Sequence, residues 1–441
     1  MWGPPLITLL VGTGIYLTVR LGLIQVFKLP TALRLLFSAK NNGEGDVSSF
    51  KALCVALAAT VGTGNIVGVA TAVKVGGPGA IFWMWVSAFF GMATNYTEAV
   101  LAQKYRSTDE KGKVVGGPVY YIKAAFPNGF GKFLAGFFSV AIILALGFMG
   151  NMVQSNSISD AMFTAFGVPK VVVGILVALV AGFIFLGGVQ RIVSVTEKLV
   201  PVMALLYIVG SLAVLVCNWR NLPGVFVSIF TAAFNPSAVL GGAAGITVQK
   251  AMRFGVARGL FSNEAGMGST PHAHALAKVA KPQDQGVVAM IGVFIDTFVV
   301  LTMTALVILT SGVLGTVGAD GELLSGTALA QAAFNHSFGS FGNAFVAICL
   351  LFFAFSTIIG WYFFGESNVK ALFKGKKAAR VAYGVIALIF IAIGSFQKVS
   401  LVWDMSDMFN GLMVIPNLLA VLALSGVVAK FAKDDDNLTG K

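Results

Sequence analysis

Apolar residues run along this chain in long stretches separated by short polar segments. Eleven such stretches can be marked, at about residues 4–26, 52–74, 79–103, 133–165, 171–189, 199–217, 246–280, 285–312, 341–368, 381–397 and 403–429. An α-helix rises about 1.5 Å per residue, so stretches of this length can cross a hydrocarbon core of about 30 Å. The pattern predicts an all-α integral membrane protein of about 11 transmembrane helices. The first stretch follows Met1 and Trp2 with no basic segment before it, and it is read as a spanning helix rather than a cleaved signal.

Two stretches carry polar interruptions that a straight, lipid-facing helix does not favour. The second reads Ala59-Thr60-Val61-Gly62-Thr63-Gly64-Asn65, and the seventh reads Phe261-Ser262-Asn263-Glu264-Ala265-Gly266-Met267-Gly268-Ser269-Thr270-Pro271. Each Gly costs a helix interior about 1 kcal/mol relative to Ala, so the clustered glycines predict local unwinding. Unwound backbone is tolerated at membrane depth only where it lines a cavity or is buried in protein. With the first helix set aside, the remaining ten fall into two groups of five, each opened by an interrupted helix and inverted relative to the other. Such paired interruptions are a sequence pointer to a transporter site. A further glycine cluster at Gly241, Gly242 and Gly245 lacks polar side chains and ranks second.

Composition agrees with the membrane reading. Of 441 residues 57% are hydrophobic and only 11% charged, against about a quarter charged in soluble domains. The net charge of +12 would suit nucleic acid on a soluble face. Here the basic residues lie between apolar stretches, so no nucleic-acid partner is expected. Lys and Arg favour cytoplasmic loops. With the N-terminus outside and the C-terminus inside, 23 of the 30 fall in cytoplasmic loops and four outside. The partner this implies is a lipid bilayer, at the cell membrane; oligomeric state is not legible. Domain boundaries follow: 1–47 for the first helix and a cytoplasmic linker, 48–217 and 246–430 for the two five-helix groups, 218–245 for an extracellular connection, and 431–441 for a cytoplasmic tail. Cys54, Cys217 and Cys349 show neither disulfide nor zinc spacing. His272 and His274 are two apart and so do not share a helix face for a metal. No catalytic set for an enzyme is evident.

The segment Gly76-Gly77-Pro78-Gly79-Ala80-Ile81-Phe82-Trp83-Met84-Trp85 resembles the signature of the alanine or glycine:cation symporter family. Arg258-Gly259-Leu260-Phe261-Ser262-Asn263-Glu264-Ala265-Gly266-Met267-Gly268-Ser269 resembles that family's second hallmark, and the likeness extends from Trp2 to Asn417. The family is similar in architecture to LeuT-type sodium symporters. The resemblance implies a LeuT-like 5+5 inverted repeat plus one extra N-terminal helix, with alanine or glycine carried together with a sodium ion. Val61-Gly62-Thr63-Gly64-Asn65 resembles the unwound stretch of that fold's first core helix, and Phe261-Ser262 with Gly266 and Gly268 that of its sixth. Glu264 departs from the pattern, which is uncharged there.

The chemistry of the residues supports the same expectation. A zwitterion needs donors for its carboxylate and acceptors for its ammonium group. Gly62, Thr63 and Gly64 offer backbone amides at a half-helix end. Gln154 offers an amide side chain, and Gly266 and Gly268 allow close approach beside Phe261 and Met267. A hard monovalent cation suits Asn65, Ser262, the hydroxyl of Thr60 and freed carbonyls. By the same resemblance, Ser356 and Thr357 would hold a second cation against the carbonyls of Ala58 and Val61. Glu264 and Asp296 are intramembrane acids, to be read as proton or cation groups or as partners of Arg253 or Arg258. Asp404 and Asp407 are placed at an outer gate. The readings kept open beside sodium symport are proton coupling, another small solute, a channel and an intramembrane enzyme.

Overall fold

In the computed structural model, residues 3–37, 45–110, 112–236, 247–318 and 321–434 are described. The glycine cluster at 241–245 and most of the tail lie outside the described residues. The described residues are mostly helical, with two small β ladders among them at one end. Helix α1 spans Pro4–Arg20, and two short helices follow it. Helices α2 (Ser49–Thr60) and α3 (Val69–Gly76) flank a wide turn of π-helix at Gly64–Gly68. Ser48 starts α2 by accepting a hydrogen bond from the Lys51 amide at 3.2 Å. Helix α4 spans Gly79–Lys104, and α5 spans Pro118–Ala125. A continuous helix, α6, covers Gly129–Phe166. Then come α7 (Lys170–Leu186), α8 (Gly188–Cys217) and α9 (Leu222–Phe234), the last within the segment expected as a connection.

Helix α10 (Val248–Asn263) ends in the second interruption, and α11 (Pro271–His274) resumes after it. The remaining elements are α12 (Pro282–Ser311), α13 (Gly326–Phe338), α14 (Phe341–Leu372), α15 (Lys377–Gly394), α16 (Val399–Ala423) and α17 (Ser425–Lys433). Among the described residues six helices are long and apolar enough to cross a membrane. A seventh span arises if α2 and the helix after its break, bent by 50° from it, are taken together. Burial separates centre from rim. In α14, 72% of the apolar stretch is buried, against 22% in α15. Leu179, Phe183 and Leu186 of α7 turn outward, as lipid-facing residues do.

Both interruptions have a local cause. Val61 leaves the helical region at ψ 87°, and two glycines flank Thr63 before the chain re-coils. In the second break Glu264 takes φ 56°, Gly266 φ 85° and Gly268 φ 78°. Left-handed backbone is costless only for glycine, so Glu264 must be held there by its side chain. Small residues bring the helices together. A Cβ on Gly259 would lie 2.9 Å from the Ser87 hydroxyl of α4, and one on Gly14 2.8 Å from the Phe90 Cβ.

A parallel ladder joins β1 (Val47–Ser48) to β4 (Ala277–Lys278), while β2 (Ser107–Thr108) pairs antiparallel with β3 (Val114–Val115). The first ladder ties the start of α2 to the chain just beyond α11. Gln103 reinforces it by donating to the His274 and Ala277 carbonyls at 2.5 and 3.1 Å.

Candidate functional site

The two interruptions meet at one carboxylate. Asp296, wholly buried in α12, accepts from Asn65 Nδ2 at 2.7 Å and from the Ser262 hydroxyl at 3.0 Å to each oxygen. The neighbouring Thr297 hydroxyl donates to Asp296 Oδ2 at 2.9 Å. Asn65 Oδ1 turns back to accept from the Gly62 amide at 2.9 Å. Backbone approach is close here: a Cβ on Gly64 would stand 3.2 Å from the Ser262 Cα and 3.3 Å from the Phe261 ring. Ser262, Thr297 and Asp296 therefore bring hydroxyl and carboxylate oxygens together, the ligand class that hard cations take, while Asn65 presents its N–H to the same carboxylate.

Gln154 of α6 reaches the same region, its Oε1 accepting from the Thr63 amide at 3.1 Å. Three other polar residues of that helix, Asn151, Asn156 and Ser159, serve packing. Asn151 and Ser159 bond the preceding turn, and Asn156 bonds the Gly394 and Gln397 carbonyls. The buried hydroxyls of Thr60, Thr63 and Ser155 make no hydrogen bond among the described residues. On the other side of the first break, Ser356 and Thr357 donate to the Ala58 carbonyl at 3.1 and 3.0 Å, and Thr357 lies 3.5 Å from the Val61 carbonyl. Each also bonds the Phe353 carbonyl of its own helix, as intrahelical hydroxyls commonly do.

The glycine amides of the second break are not free. Gly266 and Gly268 donate to Glu98 of α4 at 3.2 and 3.0 Å. Asn417 of α16 adds a 2.6 Å bond to Glu98 and a 2.9 Å bond to the Gly266 carbonyl, and it accepts from the Tyr121 hydroxyl at 2.5 Å. Glu98 thus occupies the position in which a ligand carboxylate would meet these amides. Met267 is buried beside them in the apolar core. Glu264 is paired with neither Arg253 nor Arg258. Its two oxygens accept from Trp361 Nε1 and the Ser269 hydroxyl, and these two bonds hold its left-handed backbone.

Arg258 turns instead to Asp407, with two bonds of 2.9 Å, and its guanidinium lies 4.6 Å above the Trp403 ring. Phe261 lies beside both Trp403 and Trp361, its ring 4.9 Å from the first and 6.1 Å from the second. Asp404 is exposed and belongs to neither group. Glu98, Thr297 and Asn417 are the residues that sequence reasoning missed. Glu98 carried a usable signal, as the one acid within the apolar stretch 79–103.

Comparison with known proteins gives a consistent picture. The family profile described as the sodium:alanine symporter family matches residues 1–438. A sodium/alanine symporter, AgcS, of Methanococcus maripaludis is 45% identical, over 98% of this chain and 94% of its own. A probable sodium/glutamine symporter, GlnT, of Bacillus subtilis is 43% identical, over 98% and 88%. Among solved structures, a manganese transporter of Eremococcus coleocola shares the fold at a TM-score of 0.53. It is 14% identical, over 88% of this chain and 81% of that one.

Proposed function

This chain belongs to the sodium:alanine symporter family, and on that premise we propose that it carries alanine or glycine into the cell together with sodium. The observation that carries the reading is the convergence of Asn65 and Ser262, one from each interruption, on the buried Asp296. Sodium binds at these three residues, and opening or closing either break changes the ligand set. A second sodium ion sits at the carbonyls of Ala58 and Val61 with the Ser356 and Thr357 hydroxyls. The substrate lies between Gly62, Thr63, Gly64, Gln154 and Phe261, where the uncommitted Thr63 and Ser155 hydroxyls stand ready for its polar ends. Phe261 limits the side chain to a small one.

The architecture that goes with this is an arrangement of eleven spanning helices. Ten form a LeuT-like five-plus-five repeat, with the N-terminus outside and the C-terminus in the cytoplasm. The Arg258–Asp407 pair over Trp403 is the outer lid. Energetically one coupled ion is enough. A charge moving through 100 mV yields about 2.3 kcal/mol, and a tenfold gradient adds about 1.4 kcal/mol. Together, roughly 3.7 kcal/mol supports about a 500-fold gradient of a neutral zwitterion.

A second reading, proton coupling, is favoured by one observation. Among the described residues Glu98, Glu264 and Asp296 are buried with neutral donors only, and no Lys or Arg forms an ion pair with them. Uptake of radiolabelled alanine into liposomes holding the purified protein separates the two. Accumulation that vanishes when an inward sodium gradient is collapsed supports sodium symport. Accumulation that follows a proton gradient and ignores sodium overturns it in favour of the second reading. No uptake under either gradient, in protein of native melting behaviour, removes alanine as the substrate.

A further inference from the structure

A second polar feature lies away from the interruptions, at the end of the molecule that carries the two β ladders. A groove of about 330 Å³ opens between α5, the start of α6 and the end of α14. Lys123 and Lys132 stand on it, above Val119, Ala135, Ser139 and Leu372. Among the described residues no acid lines it, and neither lysine is in an ion pair. The adjoining surface is apolar and aromatic. Phe130 and Phe133 on the outer face of α6, and Phe373 just after α14, are half or more exposed. Rings exposed on a spanning helix face lipid, and lysines at its end face headgroups. Two unpaired cations beside a small-residue floor and lipid-facing rings complement an amphiphile with an anionic head.

The floor of the groove is also connected inward. The Ser139 hydroxyl donates to Asn368 Oδ1 at 3.1 Å, and Asn368 Nδ2 donates to His272 Nε2 at 2.8 Å. The same Asn368 amide donates to the Phe364 carbonyl at 2.8 Å, which fixes its orientation and leaves the His272 proton on Nδ1. Nδ1 lies 2.7 Å from the Ser269 carbonyl, and the Ser269 hydroxyl donates to Glu264. An amide side chain and a backbone carbonyl do not relay protons, so the chain transmits position. It reaches the residue that holds the second interruption in its left-handed turn.

We propose that this groove is a binding site for an anionic phospholipid. Its headgroup is held by Lys123 and Lys132, its acyl chains lie along Phe130 and Phe133, and its occupancy sets the rate at which the second interruption rearranges.

The direct test is native mass spectrometry of the purified protein with phosphatidylglycerol or phosphatidylcholine, comparing the parent with a Lys123→Gln/Lys132→Gln double variant. The parent is expected to retain phosphatidylglycerol at least threefold more than the variant and to retain phosphatidylcholine weakly. Equal retention of the two lipids by the parent, or of phosphatidylglycerol by parent and variant, overturns the site. Displacement of the lipid by millimolar glycerol phosphate would identify a soluble phosphate as the ligand and overturn the lipid assignment. These arms do not depend on which solute is carried. For the coupling, initial uptake rates are measured in vesicles of rising phosphatidylglycerol fraction. A rise in the parent with a flat response in the variant supports it; an equal rise in both refutes it.

Discussion

Asn65 Nδ2 lies 2.7 Å from Asp296 Oδ1, so the first interrupted helix is joined to α12 through a bond between a neutral amide and a buried carboxylate. An Asp296→Asn substitution keeps the size and some of the hydrogen bonding but removes the charge. If Asp296 holds sodium, the variant needs more sodium for half-maximal uptake. The expected rise is at least about 10-fold, since even a residue that only supports a cation's ligands is worth about 10- to 100-fold in affinity. The alanine concentration for half-maximal uptake, taken at saturating sodium, should change much less. Sodium titrations of uptake at fixed alanine check this, and an unchanged sodium midpoint would remove Asp296 from the ion site.

The proposed outer lid makes a separate prediction. Arg258 and Asp407 are mostly buried, with side chains 11% and 18% exposed, and their two bonds are parallel. Removing one partner of such a pair costs about 2–5 kcal/mol, much of it from the charge left unpaired. Arg258→Gln and Asp407→Asn should each lower uptake by tenfold or more at equal expression. The exchanged pair Arg258→Asp with Asp407→Arg should regain part of it. Recovery identifies the pair as the working unit. An exchange variant no better than either single change, though folded, would show that Arg258 acts through Trp403 alone.

Much of the candidate site's placement at the two interruptions was legible in the sequence, and its wiring was not. Val61–Asn65 and Phe261–Pro271 stand out because glycine and polar residues interrupt apolar runs, and both break the helix. Ser356 and Thr357 both meet the Ala58 carbonyl, and Thr357 alone also reaches that of Val61. The partners of the other polar groups depend on the rotation and depth of neighbouring helices, which periodicity does not fix. Arg258 lies closer in sequence to Glu264 than to Asp407, yet a helix turns the two side chains to different levels. Gly266 and Gly268 are read from the sequence as places of close approach, and Glu98, 168 residues from Gly266, has no sequence link that would mark it as the partner of their amides.

Beside the ladder of β1 and β4, Lys51 of α2 meets Glu197 of α8 at 2.8 Å, next to a polar cavity of about 390 Å³. Their side chains are 43% and 21% exposed. A pair this open to water is worth up to about 1 kcal/mol, a factor of roughly five in a closed-to-open ratio. That is weak enough for a gate, and the ladder between β1 and β4 ties the start of α2 to the chain just beyond α11. Cys54, one turn along α2 and buried, reports on the opening. In protein with Cys217 and Cys349 replaced by Ser, Lys51→Gln should speed N-ethylmaleimide labelling of Cys54 by up to about fivefold. Labelling at the parent rate would place the gate elsewhere.

Glu98 tests whether the second break is held by an anion or by a protonated acid. Both of its oxygens only accept: Oε2 from the Gly266 amide, and Oε1 from the Gly268 amide and Asn417. A carboxylate satisfies all three donors, whereas the amide of Glu98→Gln must turn its NH2 toward at least one of them. Leaving a buried donor unpaired costs about 1–3 kcal/mol, so the variant should melt at a lower temperature and lose uptake. Glu98→Asp keeps the charge but shortens the reach, and should fall between the two. If instead Glu98→Gln melts like the parent and binds alanine normally but no longer responds to pH, then Glu98 carries a proton during transport. Its three bonds would then describe only one step of the cycle.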